Sequence, residues 1–77
     1  TIFNEREIFS NGKSFRPDRI IIDNNNIASL IDYKTGNYDK YHRKQLQDYT
    51  RLLETTGYIV RDRILVYFNK NITIKHV

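Results

Sequence analysis

A strand, a helix and a second strand follow one another in the second half of the chain, and no other feature constrains the fold as much. Residues 27–33 are mostly apolar, residues 38–56 repeat their apolar positions with a helical period, and residues 60–68 contain an almost continuous apolar run. Gly57 follows the last periodic position, where a glycine commonly ends a helix. Because strands joined through a helix pair in parallel by a right-handed crossover, we expect the two strands to lie parallel in one sheet.

Two turns predict further strands ahead of this unit. Asn11-Gly12 separates the extended residues 2–9 from residues 14–22, and this dipeptide is a strong signal for a β-hairpin. A second reversal at residues 23–26 contains three asparagines, which tolerate positive φ. Residues 72–74 predict a short last strand. The predicted fold is therefore α/β (α+β), with a mixed, mostly antiparallel sheet in the order β-β-β-α-β-β and one crossover helix.

Length and composition predict a single domain that spans residues 1–77. The chain has no cysteine, which excludes a disulfide framework and a thiolate metal site. It has no apolar run near the ~20 residues needed to cross a bilayer, and its first residues lack the pattern of a signal peptide. We therefore expect a soluble, cytoplasmic protein without a membrane partner. Thr1 is not an initiator residue, which suggests a piece of a longer polypeptide.

The formal net charge of +4 and the pI of about 9.5 are compatible with binding to nucleic acid. Many small basic domains bind no nucleic acid, so charge alone is a weak indication. The basic residues cluster in the predicted helix, where a solvated helix face is the simpler interpretation; they include Lys40, Arg43, Lys44 and Arg51.

Two aspartates meet if the asparagine turn has the expected length. A three-residue loop at 24–26 places Ile20 opposite Leu30, and the same register places Asp18 opposite Asp32. Directly opposed residues have Cβ atoms ~4.5 to 5.5 Å apart, which is close enough for two carboxylates to share one cation. A register slip of one residue would instead send the two carboxylates to opposite faces of the sheet.

Lys34 follows Asp32 by two residues and therefore leaves the same face of the strand. Two opposed acids repel each other, and a divalent cation is the simplest compensation. Hard oxygen ligands favour Mg²⁺ or Mn²⁺ over Zn²⁺. The alternative is a set of ordinary ion pairs, with Asp18 bound to Arg16 or Arg19 and Asp32 bound to Lys34.

The hairpin register offers a third acid. Counting back from Asn11-Gly12 places Glu7 opposite Arg16 and Glu5 opposite Asp18. Pro17 has no N–H to donate to a ladder and favours a bulge, which would shift this pairing. Glu5 is therefore the weakest member of the predicted metal site.

Four sequence elements together resemble the RecB-type branch of the PD-(D/E)XK nuclease superfamily. They are Asp18-Arg19, then Asp32-Tyr33-Lys34-Thr35-Gly36, then Gln45, and Tyr49 four residues later. More particularly, residues 4–7 and 16–19 resemble the C-terminal nuclease segments of UvrD-type helicase-nucleases, of the kind found in the exodeoxyribonuclease V beta subunit. The resemblance implies a restriction-endonuclease-like core.

The resemblance also implies roles for individual residues. Asp18 and Asp32 would be ligands of Mg²⁺ or Mn²⁺, helped by the backbone carbonyl of Tyr33, and Lys34 would lie beside the scissile phosphate. A further set of residues would support the site or bind DNA: Gln45, Tyr49, Arg19, Lys40, Arg43 and Lys44. For Gln45 and Tyr49, an equal alternative is that they form a polar edge on the buried face of the helix. The family takes another ligand from a helix before the first strand, which this sequence lacks, so we expect the chain alone to cut poorly or not at all.

The expected function is Mg²⁺-dependent (exo)deoxyribonuclease activity, as part of an ATP-dependent helicase-nuclease in DNA repair and recombination. The expected partners are DNA, the helicase domains of the same polypeptide and other subunits. Two alternatives stay open from the sequence: a non-catalytic DNA-binding module with the same fold, and a stand-alone nuclease of the same superfamily.

Overall fold

The computed structural model describes residues 2–3, 8–10 and 13–77. One helix and seven short strands are present in this part of the chain. In chain order they are β1 (Ile2–Phe3), β2 (Ile8–Ser10), β3 (Lys13–Phe15), β4 (Arg19–Ile22), β5 (Ile27–Thr35), α1 (Lys40–Thr55), β6 (Ile59–Phe68) and β7 (Ile72–His76). The protein is a small α+β structure in which a mixed sheet is covered by one helix.

The main sheet has the strand order β1-β4-β5-β6-β7, with β5 at its centre. β5 pairs in parallel with β6 across α1, as the strand-helix-strand pattern predicts, and antiparallel with β4. Ile20 lies opposite Leu30, which confirms the register predicted from the asparagine turn. β7 adds antiparallel to β6 at one edge of the sheet.

The N-terminal strands differ from the prediction of two long strands. The hairpin forms, with Ser10 opposite Lys13, but β2 and β3 make a separate two-stranded sheet. β1 instead joins the main sheet beside β4. The predicted second strand is therefore interrupted between Phe15 and Arg19. Pro17 explains the break, because it has no N–H for a ladder.

Local hydrogen bonds stabilise the asparagine turn, which sets the β4–β5 register, and the start of α1. At the asparagine turn, Oδ1 of Asp23 accepts from the backbone N–H of Asn25 at 2.8 Å and of Ile27 at 3.1 Å. At the start of α1, Oδ1 of Asp39 accepts from the N–H of Tyr41 at 2.8 Å, so Asp39 is the N-cap. Gly57 follows the helix with a φ of +97°, the left-handed conformation predicted for it.

The two faces of the main sheet have different surroundings. The face under α1 holds the hydrophobic core, whose buried residues are Ile20, Ile22, Ala28, Leu30, Leu46, Tyr49, Leu53, Val60, Leu65 and Tyr67. The opposite face carries exposed apolar side chains, among them Ile21, Tyr33 and Phe68. Within the described residues, α1 is too short and too polar to cross a membrane.

Candidate active site at the end of the central strand

Asp18 and Asp32 contact each other just beyond the last residue pair of β4 and β5. The backbone N–H of Asp18 donates to Oδ1 of Asp32 at 3.2 Å. In return, Oδ2 of Asp18 accepts from the backbone N–H of Tyr33 at 2.8 Å. Asp18 is exposed, whereas Asp32 is only 3% exposed beneath α1. The two carboxylates therefore form one site with an open side at Asp18 and a buried side at Asp32.

The environment of Asp32 disfavours its charged form. Burial raises the pKa of the Asp32 carboxyl, and the neighbouring Asp18 raises this pKa further, while the amine of Lys34 lowers it. Oδ2 of Asp32 is a buried atom to which no group in the described part of the chain donates a well-aligned hydrogen bond. Lys34 Nζ lies 3.0 Å from this oxygen and forms an ion pair with it.

Lys34 is held over the site by three neighbours. Its Nζ lies between Oδ2 of Asp32 and Oε1 of Gln45, to which it donates at 3.3 Å. The Phe15 ring lies beside it, with the amine 5.8 Å from the ring centroid, and this ring in turn meets Tyr49 edge-on at 6.0 Å. The Lys34 side chain is 23% exposed, so part of it is open to solvent.

The helix residues of the predicted site contribute in different ways. Gln45 reaches Lys34 directly, and this contact fixes α1 to the end of β5. Tyr49 is 1% exposed and belongs to the core, so it supports the site through Phe15 and is not open to a DNA strand.

The predicted basic residues separate into three groups. Arg19 lies opposite Ile31 in the β4–β5 ladder, on the sheet face that α1 does not cover, and its assignment to site support or DNA binding stays a prediction. The side chain of Arg19 and that of Asp32 leave opposite faces, because strand residues alternate. Lys44 forms an ion pair with Asp48 at 2.7 Å. Within the described residues, no carboxylate pairs with Lys40 or Arg43, and both side chains are exposed.

Two predicted metal ligands cannot be placed as such. Glu5 lies outside the described residues. The role of the Tyr33 backbone carbonyl as a metal ligand stays a prediction. The N–H of Tyr33 donates to Asp18, and its ring lies 5.9 Å from the Phe68 ring on the face that α1 does not cover. Among the described residues, no group of three or more His, Cys, Asp or Glu side chains surrounds a common point.

A second polar pair lies next to the site and was not predicted from the sequence. Nδ1 of His42 is 2.9 Å from the hydroxyl of Tyr67, which is buried under the start of α1. Burial raises the pKa of the Tyr67 hydroxyl. Tyr67 is aligned with Lys34 in the parallel ladder, so the pair adjoins the site on the same face. No sequence signal identifies the pair, because this alignment depends on a register irregularity between β5 and β6.

Comparisons with known proteins give one structural relative. No protein-family model matches the chain, and no curated protein matches it. The crystal structure of a protein designated SSO0001 matches with a TM-score of 0.60 and 32% sequence identity over 94% of this chain. The match covers 37% of SSO0001, so this chain spans little more than a third of that protein's length. The likeness supports the mixed α+β fold.

Proposed function

We propose that this chain is the core of a metal-dependent DNA nuclease of the PD-(D/E)XK superfamily, with the restriction-endonuclease-like order of elements. One observation carries the proposal: the carboxylates of Asp18 and Asp32 and the amine of Lys34 meet at the same end of β5. Their order and spacing are those of the RecB-type pattern in the sequence. A small apolar core does not need a buried carboxylate at position 32, so its presence calls for a function.

The donor atoms of this site suit a magnesium or manganese ion. Two carboxylates present oxygen ligands, and within the described residues the buried Oδ2 of Asp32 is paired only with the Lys34 amine. Asp18 and Asp32 would hold the ion. When bound, a divalent cation lowers the pKa of a coordinated water and offsets negative charge on phosphoryl oxygens.

Lys34 supplies positive charge and a hydrogen-bond donor. A lysine ammonium has three N–H groups, and its two observed neighbours, Asp32 and Gln45, both present acceptor oxygens. Within the described residues these are its two acceptor neighbours, so a further N–H can donate to a phosphoryl oxygen or to the attacking water. Charge of this kind stabilises the negative charge that develops as a phosphodiester is attacked.

The reaction is hydrolysis of one phosphodiester bond. The water oxygen bonds to phosphorus, and the bond from phosphorus to one of the two sugar oxygens breaks. One water proton is transferred to the departing sugar oxygen. The products are therefore a terminal phosphate and a free hydroxyl, with no oxidant, reductant or second substrate required.

The cellular setting of the proposal rests on the sequence resemblance alone. The RecB-type pattern with the UvrD-type flanking residues places this nuclease in an ATP-dependent helicase-nuclease that processes DNA for repair or recombination. The helicase domains of such a polypeptide and DNA would then be its partners.

A cleavage assay tests the proposal. The purified full-length protein is incubated with labelled linear single- and double-stranded DNA in Mg²⁺ or in chelator. We expect cleavage only with the metal, and a loss of roughly 100-fold or more in Asp18→Asn, Asp32→Asn and Lys34→Ala. The matched control is Asp62→Asn, because Asp62 accepts from Ser29 at 3.0 Å on the other face of the sheet.

Three results would contradict parts of this proposal. Cleavage in chelator would remove the metal, and undiminished cleavage by Lys34→Ala would remove Lys34 from the mechanism. DNA binding by the folded protein without metal-dependent cleavage would favour the non-catalytic binding module.

A further inference from the structure

A groove runs between the start of α1 and β7, next to the proposed active site. α1 packs on β6, so the same face of the edge strand β7 is left open beside it. Lys75 is aligned with the buried Leu65 and therefore points to the helix side of the sheet. The groove has a volume of about 350 Å³, and its lining residues are Tyr38, Arg43, Lys75, His76 and Val77.

The groove continues into a second basic surface along α1. A neighbouring depression of about 590 Å³ is lined by Tyr38, Lys40, Arg43, Lys44, Gln47 and Arg51. Tyr38 and Arg43 line both, so the two form one continuous surface. Among the described residues that line it, none is an aspartate or a glutamate. This charge suits a polyanion.

The strength of the charge is not uniform over this surface. Asp48 forms ion pairs with both Lys44 and Arg51, which neutralises part of their charge. Among the described residues, no carboxylate pairs with Arg43 or Lys75. The positive potential is therefore least compensated in the groove between α1 and β7.

An aromatic ring lies in the same groove. The Tyr38 side chain is 38% exposed, and Nζ of Lys75 lies 4.8 Å from its ring centroid. A tyrosine face beside a lysine is the combination with which proteins hold an unpaired base and its phosphate. A duplex keeps its bases stacked inside the helix and offers no free base face to such a ring.

The groove lies one strand away from the proposed active site, and the buried side chain of Tyr67 lies between them. The Tyr38 ring contacts Tyr67 with a centroid distance of 6.2 Å, and Tyr67 is aligned with Lys34 on the adjacent strand. Neighbouring strands lie about 4.8 Å apart. Lys34 and Tyr38 are therefore separated by about the width of β6, a distance that one nucleic acid strand can span.

We propose that this groove binds a single-stranded segment of the DNA whose scissile phosphate lies at Asp18, Asp32 and Lys34. Arg43 and Lys75 contact its phosphates, and one base stacks on Tyr38. The groove thus determines a preference for unpaired strands. This inference rests on the proposed nuclease function for the position of the scissile phosphate, whereas binding to the groove needs no metal.

Binding measured in chelator separates the groove from the chemistry. Fluorescence anisotropy with a labelled oligothymidine and with a hairpin duplex of equal length is carried out on the full-length protein. We expect the single strand to bind more tightly, and Tyr38→Ala to weaken this binding at least about fivefold, as loss of one stacked base does. Tyr38→Phe keeps the ring and should retain the binding.

A charge variant tests the phosphate contact independently. Lys75→Ala should reduce the slope of log Kd against log salt by about 0.7, the value for one phosphate contact on a single strand. Lys70→Ala is the matched control, because Lys70 is an exposed lysine in the turn before β7 and does not line the groove. It should leave the slope unchanged.

The outcomes distinguish the two proposals. Wild-type affinity in folded Tyr38→Ala, equal effects of Lys75→Ala and Lys70→Ala, or tighter binding of the duplex would overturn the groove, even if Asp32→Asn abolishes cleavage. Loss of single-strand binding in the groove variants, together with normal cleavage by Asp32→Asn, would support the groove and overturn the nuclease site.

Discussion

The two ends of the sheet face under α1 are built from the same strand and behave differently. At one end, β5 contributes Ala28 and Leu30, both fully buried among apolar neighbours. At the other end it contributes Asp32, 3% exposed, and Lys34. Two residues along one strand separate a side chain that stabilises the fold from one whose charge is costly to bury. This difference is the structural basis of our proposal that the acidic end binds a cation.

The apolar end predicts the largest loss of stability. Leu30→Ala should lower the free energy of unfolding by about 2 to 5 kcal/mol, because it leaves a cavity between the sheet and α1. Urea unfolding followed by circular dichroism measures this change. A loss under about 1 kcal/mol would mean that α1 moves to fill the space left by the Leu30 side chain, and that the core is packed less tightly than its burial implies.

Removing the amine at the polar end should have the next largest effect. Lys34→Met keeps the side-chain stem but leaves the Asp32 carboxylate buried without its cation, so we expect a loss of about 1 to 3 kcal/mol at pH 7 in chelator. The same unfolding measurement applies. Unchanged stability would show that Lys34 contributes little to holding the charge of Asp32.

Removing the Asp32 carboxylate should lower the free energy of unfolding less than removing the Lys34 amine. Asp32→Asn keeps an acceptor for the Asp18 N–H and removes a desolvated charge, so its stability should lie within about 1 kcal/mol of wild type. The comparison with Lys34→Met is the informative one. If Asp32→Asn is the less stable of the two variants, the carboxylate is primarily a structural group.

The raised pKa of Asp32 predicts a difference in pH dependence. Since its pKa is higher in the folded protein than the ordinary value of 3.8, the folded state binds the extra proton, and stability is lost as pH rises through the folded pKa. Unfolding in chelator between acidic and neutral pH should show this loss in wild type relative to Asp32→Asn. If the stability of wild type relative to Asp32→Asn instead increased as pH rises, the direction of the pKa shift would be contradicted.

The exposed ion pairs on α1 predict the smallest effect. Asp48→Asn removes the partner of Lys44 and Arg51, and exposed pairs of this kind contribute less than about 1 kcal/mol. Thermal unfolding at low and high salt measures the change. A larger loss that persists at high salt would show that Asp48 acts through something other than exposed ion pairs.

Local sequence signals predicted the parts of this fold that local hydrogen bonds determine. The side chain of Asp23 closes the asparagine turn, and this turn alone sets the register that brings Asp18 next to Asp32. Gly57 ends the helix in the conformation its position predicts. Alternation along β5 placed Lys34 on the same side as Asp32.

The features that depend on distant pairing were not predictable in this way. β6 has a register irregularity beside Ala28 and Ser29, so that Val60 and Leu65, five residues apart, are both buried. The alignment of Tyr67 with Lys34 depends on this irregularity, which no sequence pattern locates. Pro17 predicted a shift in the pairing of the N-terminal strands, but the sequence did not indicate that β1 would join the main sheet while β2 and β3 pair separately.

Binding of Mn²⁺ tests the central claim most directly, because it asks whether the two aspartates act as one cation site. Calorimetric titration of the full-length protein should give binding heat in wild type and in the control Asp62→Asn. The heat should be lost in both Asp18→Asn and Asp32→Asn. Equal Mn²⁺ binding by wild type and Asp32→Asn would contradict the account.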